Sequence, residues 1–335
     1  MSTPSTKSGE RVSSFLLYLT RVLRNSTNGS SRNGMPEYSH TYATHSKEAT
    51  PDDFLVLTKP GVLLLVVYTA AIGLVLAPGT QHPILSLISI LAIALGSAGA
   101  GAFNMWYDRD IDIVMNRTKN RPIPQNKIAP GDALGFAWIL SITSVVLLFM
   151  ATNTVAAGML AFSIFFYAVI YTMVLKRTTP QNIVIGGAAG AFPPVIGWAA
   201  VTGDLLHPLP WVLFALIFIW TPSHFWALAV HKCEDYRSAK IPMMPITAGI
   251  ESTKTQIVVY AMALVGLSFL VPHITKSGWI YVGTATVLGF IYLKLSFDLK
   301  RSPKTQPGMK LFGFSILYLF LLFTSLVIDR YVFIS

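Results

Sequence analysis

Long apolar runs, separated by short polar segments, occupy most of the chain after residue 53. Their lengths match the roughly 17 to 25 apolar residues that a helix needs to cross the hydrocarbon core of a bilayer. The pattern predicts nine membrane-spanning helices: Gly61–Ala77, Ile84–Tyr107, two helices within Ala133–Leu175 that the polar residues 152–154 separate, Ile183–Val201, Pro210–Val230, Gln256–Val271, Trp279–Leu293 and Leu311–Ile328. A segment that crosses lipid must satisfy its own backbone hydrogen bonds, and the sequence has no series of alternating, strand-like segments. The sequence therefore predicts an all-α bundle.

Composition supports a polytopic membrane protein. The 335 residues are 53% hydrophobic and only 12% charged, which is far from the balance of a soluble globular protein. The single cysteine, Cys233, excludes an intramolecular disulfide framework and any cysteine-rich metal site.

Basic residues lie almost entirely on one side of the predicted bundle. The net charge is +10, and the loops after the second, fourth, sixth and eighth helices carry most of the lysines and arginines. The opposite side has only Lys276 and Arg330. Because cytoplasmic loops are enriched in Lys and Arg, the even-numbered loops and the N-terminus are predicted to face the cytoplasm or its equivalent. The charge therefore indicates membrane topology, and a nucleic-acid partner is not expected.

The first 53 residues differ from the rest in being rich in Ser, Thr and Asn, without a sustained apolar run. This composition predicts a polar, disordered tail, followed by one intramembrane domain over residues 54–335. Within the tail, residues 11–24 fit three alternatives. They are a basic amphipathic helix on an anionic membrane surface, part of a mitochondrial transit peptide, or a tail without a specific role.

The most informative segment follows the second apolar run: Asn104-Met-Trp-Tyr-Asp108-Arg-Asp-Ile-Asp112. On a helix, side chains four residues apart share a face, so Asn104, Asp108 and Asp112 form a ladder roughly 12 Å long. Acidic groups are costly at the end of a membrane helix and usually mark a functional site. Oxygen ligands without Cys or clustered His favour a hard cation such as Mg²⁺, which prefers carboxylates and phosphate oxygens.

A second polar centre follows the sixth predicted helix, on the same side of the membrane. It contains Glu234, Asp235, Tyr236, Arg237 and Lys240 within residues 231–245. Two acidic centres flanked by cations are able to hold a Mg²⁺–diphosphate between them, with carboxylates on the metal and cations on the remaining phosphate charge. For the neighbouring Asp110, Glu234 and Lys127, a place in solvated loops is the alternative.

These motifs resemble those of the UbiA-type intramembrane prenyltransferases, whose aspartate-rich motif matches Asn104, Asp108 and Asp112. The longer string through Arg117-Thr-Lys-Asn-Arg121-Pro is similar to the members that use haem as the acceptor. Further support comes from Thr58-Lys-Pro-Gly61, from Leu175–Asn182 with Gly186–Pro194, and from Asp235–Pro245. The resemblance covers roughly Phe54–Ile328. Many family members carry a second Asp-x-x-x-Asp motif, but here Ala239 follows Asp235 by four residues, which favours the haem-type subgroup and leaves the number of metal ions open.

The resemblance implies transfer of a farnesyl group from farnesyl diphosphate to a vinyl group of haem B, with addition of water, to give haem O and diphosphate. This is a step of haem A biosynthesis, and a haem A synthase is the implied recipient of the product. The implied Mg²⁺ ligands are Asn104, Asp108, Asp112 and Asp235. The candidate diphosphate clamps are Arg117, Lys119, Arg121, Lys176, Arg177, Arg237 and Lys240.

A haem substrate also needs a binding surface. His224 and His231 lie seven residues apart, on one face of the sixth helix, and either is a candidate for contact with the iron or a propionate, with hydrogen-bonded packing as the alternative. The aromatic residues Trp106, Tyr107 and Tyr236 fit either cation–π shielding of an allylic cation or an interfacial belt.

Several glycine and proline residues indicate where helices pack closely and where a cavity lies. The Gly186–Gly190 run sits inside a predicted span, which favours close helix packing over phosphate binding. Pro193-Pro194 and Pro222 are expected to break or kink their helices, and both are candidate cavity walls.

Two other functions remain as alternatives. A UbiA-type enzyme that acts on a quinone or chlorophyll precursor keeps the same donor chemistry, and a cation-coupled transporter also uses intramembrane acids. Transporters, however, bind near the membrane midplane, whereas both acidic centres here lie at one face. The predicted location is the inner membrane of a bacterial cell, with the mitochondrial inner membrane as the alternative.

Overall fold

The computed structural model describes residues 48–275 and 278–333, which belong to one compact unit. The alternatives for residues 11–24 lie outside these ranges, as do all but the last six residues of the disordered tail predicted for residues 1–53. Every regular element in the described ranges is helical: α1 (Pro51–Leu57), α2 (Pro60–Leu76), α3 (Pro83–Tyr107), α4 (Arg109–Val114), α5 (Pro130–Ala151), α6 (Thr154–Thr178), α7 (Asn182–Ala191), α8 (Pro193–Thr202), α9 (Pro208–His231), α10 (Cys233–Ser238), α11 (Met244–Thr247), α12 (Ile250–Ser268), α13 (Val271–Thr275), α14 (Trp279–Arg301) and α15 (Pro307–Phe333).

The predicted all-α membrane architecture is confirmed. Eight helices of the described chain are long and apolar enough to span a bilayer, with α7–α8 and α12–α13 each counting as one. The ninth is α2, which forms a bent pair with α1. Helices α12 and α14 extend beyond the predicted bounds, to Ile250 and Arg301. Hydropathy detects only the apolar part of a helix, and these two continue into polar ends.

Helix α1 begins at Pro51, three residues before the predicted domain boundary at residue 54. Thr50 caps α1, and its side chain and that of Asp53 exchange hydrogen bonds with each other's backbone N–H groups. Lys127, in the loop before α5, donates a hydrogen bond of 2.8 Å to Asp53. This tie fixes α1 against the polar loop that also carries Arg117, Lys119 and Arg121.

A bend of 57° separates α1 from α2, and it occurs at Lys59. Lys59 has φ 54°, in the left-handed region that non-glycine residues seldom adopt. The following Pro60 disfavours a helical conformation at Lys59, so the helix cannot continue straight through it. The bend carries the Lys59 side chain to the end of α3, where the acidic ladder begins.

Small residues bring neighbouring spans close together. A side chain at Gly73 of α2 would overlap the backbone of Pro194 in α8, and one at Gly197 of α8 would overlap the backbone of Ala70. Gly99 of α3 packs in the same way against Ser141 of α5. These contacts are typical of membrane bundles, in which close backbone approach replaces a hydrophobic driving force.

Helix α6 contains a π-helical segment, Phe166–Leu175. The wider turn lets the Thr172 hydroxyl donate a 2.8 Å hydrogen bond to the carbonyl of Tyr167, five residues earlier. π-Helical turns are rare and occur frequently at functional sites. Here the segment places Tyr167, Tyr171 and Thr172 beside the end of α3.

The glycine run of α7 has two roles. Gly186 packs against the Tyr171 ring and Gly187 against Thr221, as close helix packing predicts. Gly190, in contrast, faces open space and lines a cavity. The break between α7 and α8 places Pro193 in a cavity wall, as predicted, whereas Pro222 lies buried within α9.

Candidate active site at the ends of α3 and α9

The acidic ladder forms as its spacing predicts. Asn104, Asp108 and Asp112 are 3%, 0% and 1% exposed, respectively. Although α3 ends at Tyr107, the Asp108 N–H donates to the Asn104 carbonyl (2.9 Å) and the Asp112 N–H donates to the Asp108 carbonyl (2.8 Å). The four-residue register therefore continues from α3 into α4, and the three side chains remain on one face.

Cations from three separate parts of the chain converge on this ladder. Lys59 donates to the Asn104 side-chain oxygen, and Lys176 forms an ion pair with Asp108. Arg121 donates a 2.6 Å hydrogen bond to Asp112. Burial of unpaired carboxylates would be very costly, so these cations are what make the ladder stable in the absence of substrate.

The Asn104 amide links the ladder internally. Its nitrogen donates to Asp108 Oδ2 at 2.7 Å and to the Thr172 hydroxyl at 3.0 Å. These bonds fix the amide so that its oxygen faces Lys59. The other Asp108 oxygen, Oδ1, is buried without a hydrogen-bond partner, and Arg177 lies 3.6 Å from it.

This donor set fits a divalent cation that is shared with a phosphate ligand. A buried carboxylate oxygen without a donor is a free ligand position, and Mg²⁺ typically takes one or two carboxylates together with phosphate oxygens and water. Within residues 48–275 and 278–333, no three His, Cys, Asp or Glu side chains are close enough together to hold a metal ion. The site therefore suits Mg²⁺ that arrives with an anionic ligand better than a resident ion.

Asp235, the second predicted acidic centre, lies across from the loop that follows α4. Its Oδ1 accepts a 3.3 Å hydrogen bond from Asn116. It is partly exposed, and its neighbour Tyr236 is buried. The structure thus brings the two polar centres of the sequence to the same end of the bundle.

A cavity of about 400 Å³ lies between these groups, and we call it the polar cavity. Four cations line it: Lys59, Arg117, Arg121 and Lys176. Its other lining residues include Asn104, Asp112, Tyr167, Tyr171, Phe225, Tyr236 and Met243. Concentration of cations beside carboxylates is the arrangement expected for a metal-bound polyphosphate.

The other predicted clamps do not line the polar cavity. Arg177 forms a two-point ion pair with Asp110 (2.6 and 2.7 Å), and this pair holds the pKa of Asp110 below its usual range, although burial alone would raise it. Lys119 donates to Asn116, Arg237 pairs with the exposed Glu234, and Lys240 is exposed. Arg177 also lies 3.6 Å from Asp108 Oδ1 of the ladder, and the role of all four residues as clamps stays a prediction.

Sequence reasoning missed several residues of the cavity. Lys59 is the most important, and its signal is a lone lysine beside Pro60 and Gly61 at the start of an apolar span. Tyr167 and Tyr171, whose rings lie 5.4 Å apart, come from the π-helical segment. Their place in the cavity depends on a widened helical turn that apolar periodicity does not reveal.

Only one of the three candidate aromatic residues lines the polar cavity. Tyr236 is 2% exposed and lines the polar cavity, and burial raises the pKa of its phenol, which therefore stays neutral. Trp106 and Tyr107 do not line the cavity. Their rings instead lie against the guanidinium groups of Arg109 and Arg177, at 5.4 and 4.7 Å.

The polar cavity adjoins a larger apolar one of about 510 Å³, which we call the deep cavity. The two share six lining residues: Gly61, Val62, Arg117, Tyr167, Tyr171 and Phe225. A third, narrow cavity of about 100 Å³ is lined by residues of α2, α3, α6, α7 and α8, and it meets the polar cavity at Lys59 and Tyr167. Of the two candidate histidines, His224 lines the deep cavity, whereas His231 lines none of the three.

Comparisons with known proteins agree with this architecture. The sequence matches the model of the UbiA prenyltransferase family over residues 66–324, and the chain belongs to this family. Curated relatives named protoheme IX farnesyltransferase include those of Rhizobium rhizogenes (strain K84; 54% identity over 290 residues, covering 85% of this chain and 90% of the relative) and Gluconacetobacter diazotrophicus (50% identity over 288 residues, 83% and 91%).

Solved structures show the same fold at low sequence identity. A digeranylgeranylglyceryl phosphate synthase matches with a TM-score of 0.68 at 18% identity, covering 83% of this chain and 97% of that one. A UbiA homologue from Archaeoglobus fulgidus, bound to DMAPP and Mg²⁺, matches with a TM-score of 0.57 at 16% identity, covering 81% and 99%.

Proposed function

We propose that the protein transfers a farnesyl group from farnesyl diphosphate to a vinyl group of haem B, with addition of water, and so forms haem O as a step towards haem A. The observation that carries this proposal is the polar cavity, in which the buried carboxylate of Asp112 and four cations converge beside apolar space, with Asp108 paired to the lining Lys176. The high identity to protoheme IX farnesyltransferases over most of both chains supports haem as the acceptor.

The reaction separates a charged diphosphate from an apolar farnesyl group. The polar cavity suits the diphosphate, and the apolar space beside it suits the farnesyl chain. The C1–O bond of farnesyl diphosphate breaks with its electron pair on the diphosphate. The terminal carbon of the vinyl group then bonds to C1, and water adds to the other vinyl carbon and releases a proton. An apolar channel holds the isoprenoid, while the charged leaving group stays among cations at the cavity's polar end.

The chain's own residues perform the binding and orientation. Lys59, Arg121 and Lys176 pair with the ladder in the structure and are placed to share their charge with diphosphate oxygens. Arg117 lines both the polar and the deep cavity, at the boundary where the C1–O bond would lie. The partly buried rings of Tyr167 and Tyr171 line that boundary, and the buried Tyr236 lines the polar cavity beside it, so that the three rings would limit the access of bulk water.

Asp108 and Asp112 would hold Mg²⁺ through their carboxylates, with Asn104 and Asp235 nearby as further oxygen donors. When bound, Mg²⁺ supplies positive charge to the oxygen that becomes negative as the allylic bond breaks. The Asn104–Asp108 hydrogen bond keeps the amide and the carboxylate in a fixed relation, so little reorganisation is needed as the ligand binds.

A pigment assay tests the function directly. Membranes that contain the protein are incubated with haem B, farnesyl diphosphate and Mg²⁺, and the extracted haems are separated by chromatography with mass detection. The expected product is heavier than haem B by one farnesyl group plus one hydroxyl group. Unchanged haem B from membranes with folded protein would overturn the haem acceptor, and aromatic quinone precursors would then be tested as acceptors.

Ligand protection distinguishes a prenyltransferase from a transporter. Mg²⁺ together with a non-hydrolysable farnesyl diphosphate analogue is expected to raise the thermal unfolding temperature. At an analogue concentration of a hundred times its Kd, the free energy of unfolding increases by about 2.7 kcal/mol. Mg²⁺ alone is expected to have little effect, because the ladder carboxylates are already paired with Lys176 and Arg121. Full protection by the cation alone would favour an ion-binding transporter.

We further propose that the protein lies in the inner membrane of a bacterial cell, with the even-numbered loops on the cytoplasmic side. The basic loops support this orientation. Haem O is then released for a haem A synthase, which continues the modification of the same porphyrin.

A further inference from the structure

The deep cavity contains one preorganised metal-ligand group that no step of farnesyl transfer requires. Its volume of about 510 Å³ falls within the roughly 300–1,000 Å³ of small-molecule sites, and its walls are mainly apolar. His224 of α9 contributes the one imidazole among the described lining residues. A partly buried histidine on an apolar wall is either a packing residue or a ligand, and its hydrogen bonds distinguish the two.

The His224 ring stacks against two aromatic rings. The distance between ring centroids is 4.0 Å to Trp220 and 4.4 Å to Phe312 of α15. Trp220 is itself fixed, because its indole N–H donates a 2.8 Å hydrogen bond to the carbonyl of Ser315. The imidazole therefore has a single orientation, and such preorganisation favours ligand binding.

A hydrogen-bond relay determines the tautomer of His224. Nδ1 lies 2.5 Å from the Ser315 hydroxyl oxygen, and that hydroxyl donates its only proton to the carbonyl of Phe312 at 2.6 Å. With the Ser315 proton on that carbonyl, the Ser315 oxygen accepts from His224, and this arrangement favours the tautomer in which Nδ1 carries the proton. Nε2 is left with a free lone pair, in the form in which histidine binds metals.

His231 lacks this arrangement. It lies near the end of α9, and its Nδ1 is buried without a hydrogen-bond partner. It lines neither the polar nor the deep cavity. The structure thus separates two histidines that the seven-residue spacing made equivalent.

We propose that His224 Nε2 is the axial ligand of the iron of the acceptor haem, which binds in the deep cavity. This inference rests on the proposed function for the identity of the acceptor. The hydrogen-bond relay runs from the imidazole through the Ser315 hydroxyl to the Phe312 carbonyl. Relays of this kind fix the orientation of histidine rings at metal sites. The iron bond would fix the porphyrin in the cavity, so that a vinyl group stays at the boundary with the polar cavity.

The test compares haem B with metal-free protoporphyrin IX, since the two share a ring and differ in the iron. Each is titrated into the detergent-solubilised full-length protein and followed by its absorption spectrum. The native protein is expected to bind haem B with an imidazole-type spectrum, and about 10- to 100-fold more tightly than protoporphyrin IX. His224→Gln keeps a polar group near Ser315, and this variant is expected to bind both porphyrins with equal affinity. Its complex with haem B should lack the imidazole-type spectrum, and addition of free imidazole should restore that spectrum.

His273→Gln is the matched control, because His273 lies on α13, away from the deep cavity, and this variant is expected to behave like the native protein. Ser315→Ala tests the relay without removing the ligand: the spectrum should stay imidazole-type while the preference for haem falls severalfold. A His224→Gln protein that is folded, by thermal unfolding, and keeps the native spectrum and preference would overturn the proposal. Loss of the spectrum in His231→Gln instead would do the same.

The outcome is separable from that of the proposed function. If His224 binds the iron but the pigment assay yields no farnesylated haem, the function fails and the ligand assignment stands. If farnesylated haem forms while His224→Gln binds haem unchanged, the function stands and the ligand assignment fails.

Discussion

At the scale of single residues, two of the four cations of the polar cavity, Arg121 and Lys176, are already paired with carboxylates before any substrate binds. Lys176 and Asp108 form the most buried of these pairs, with side chains 13% and 0% exposed. A buried ion pair contributes little net stability, but removal of one partner leaves a costly uncompensated charge. Mutations at this pair therefore change stability and catalysis together unless both partners are replaced.

Asp108→Asn is expected to lower turnover by at least about 100-fold, because it removes a carboxylate that we propose holds Mg²⁺ against the leaving diphosphate. It is also expected to lower the thermal unfolding temperature, since Lys176 loses its partner. The double variant Asp108→Asn/Lys176→Met should recover much of that stability without recovering turnover. Asp110→Asn is the control: Asp110 is exposed and outside the polar cavity, and its removal should leave haem O formation nearly unchanged.

A second residue-scale prediction concerns Lys59. Lys59→Met is expected to raise KM for farnesyl diphosphate and lower turnover, by about tenfold or more, because a charge-assisted hydrogen bond to the diphosphate is lost. Lys127→Ala is the matched control, since Lys127 contacts Asp53 rather than the polar cavity. Steady-state kinetics of haem O formation measure both. Equal effects of the two variants would show that only the total loop charge matters.

At the scale of helices, close approach of backbones determines where the cavity walls lie. Gly73→Ala in α2 is expected to destabilise the protein by about 1–3 kcal/mol, because the new methyl group overlaps the backbone of Pro194, which does not yield as a flexible side chain would. Gly158→Ala in α6 meets nothing within 4 Å and should be neutral or slightly stabilising. Thermal unfolding in detergent compares the two. Similar unfolding temperatures would argue against tight α2–α8 packing.

The π-helical segment of α6 is the other feature at this scale. Apolar periodicity predicts a helix there, and a helix forms, but the extra residue per turn changes which side chains face α3. Tyr167, Tyr171 and Thr172 reach the acidic ladder for this reason. No propensity in the sequence distinguishes this segment from an ordinary α-helix, since the widened turns are stabilised by neighbouring helices.

At the scale of the whole molecule, the asymmetry of basic loops makes a topological prediction. In a Cys233→Ser background, Asp204→Cys and Lys304→Cys place single exposed thiols in loops on opposite predicted sides. A membrane-impermeant maleimide should label the residue 204 thiol in intact spheroplasts, and the residue 304 thiol only after permeabilisation. The reverse labelling would invert the orientation and place the polar cavity on the outer side.

The sequence by itself determined the number of spans, the all-helical architecture and the ladder of Asn104, Asp108 and Asp112. Each of these depends on local properties: the length of an apolar run, and a spacing of four residues on one helix. The family also followed from local motifs, because the residues predicted to bind metal and diphosphate are grouped within short segments.

Only the tertiary structure decided which cations face the ladder and which histidine lines the deep cavity. Lys59 reaches Asn104 across 45 positions of sequence, and the Ser315 hydroxyl contacts His224 across 91. Such pairings depend on helix packing, on the bend before α2 and on the widened turns of α6, and none of these leaves a periodic signal in the chain. Local sequence motifs thus determined the residue types of the site, while contacts between distant helices determined its geometry.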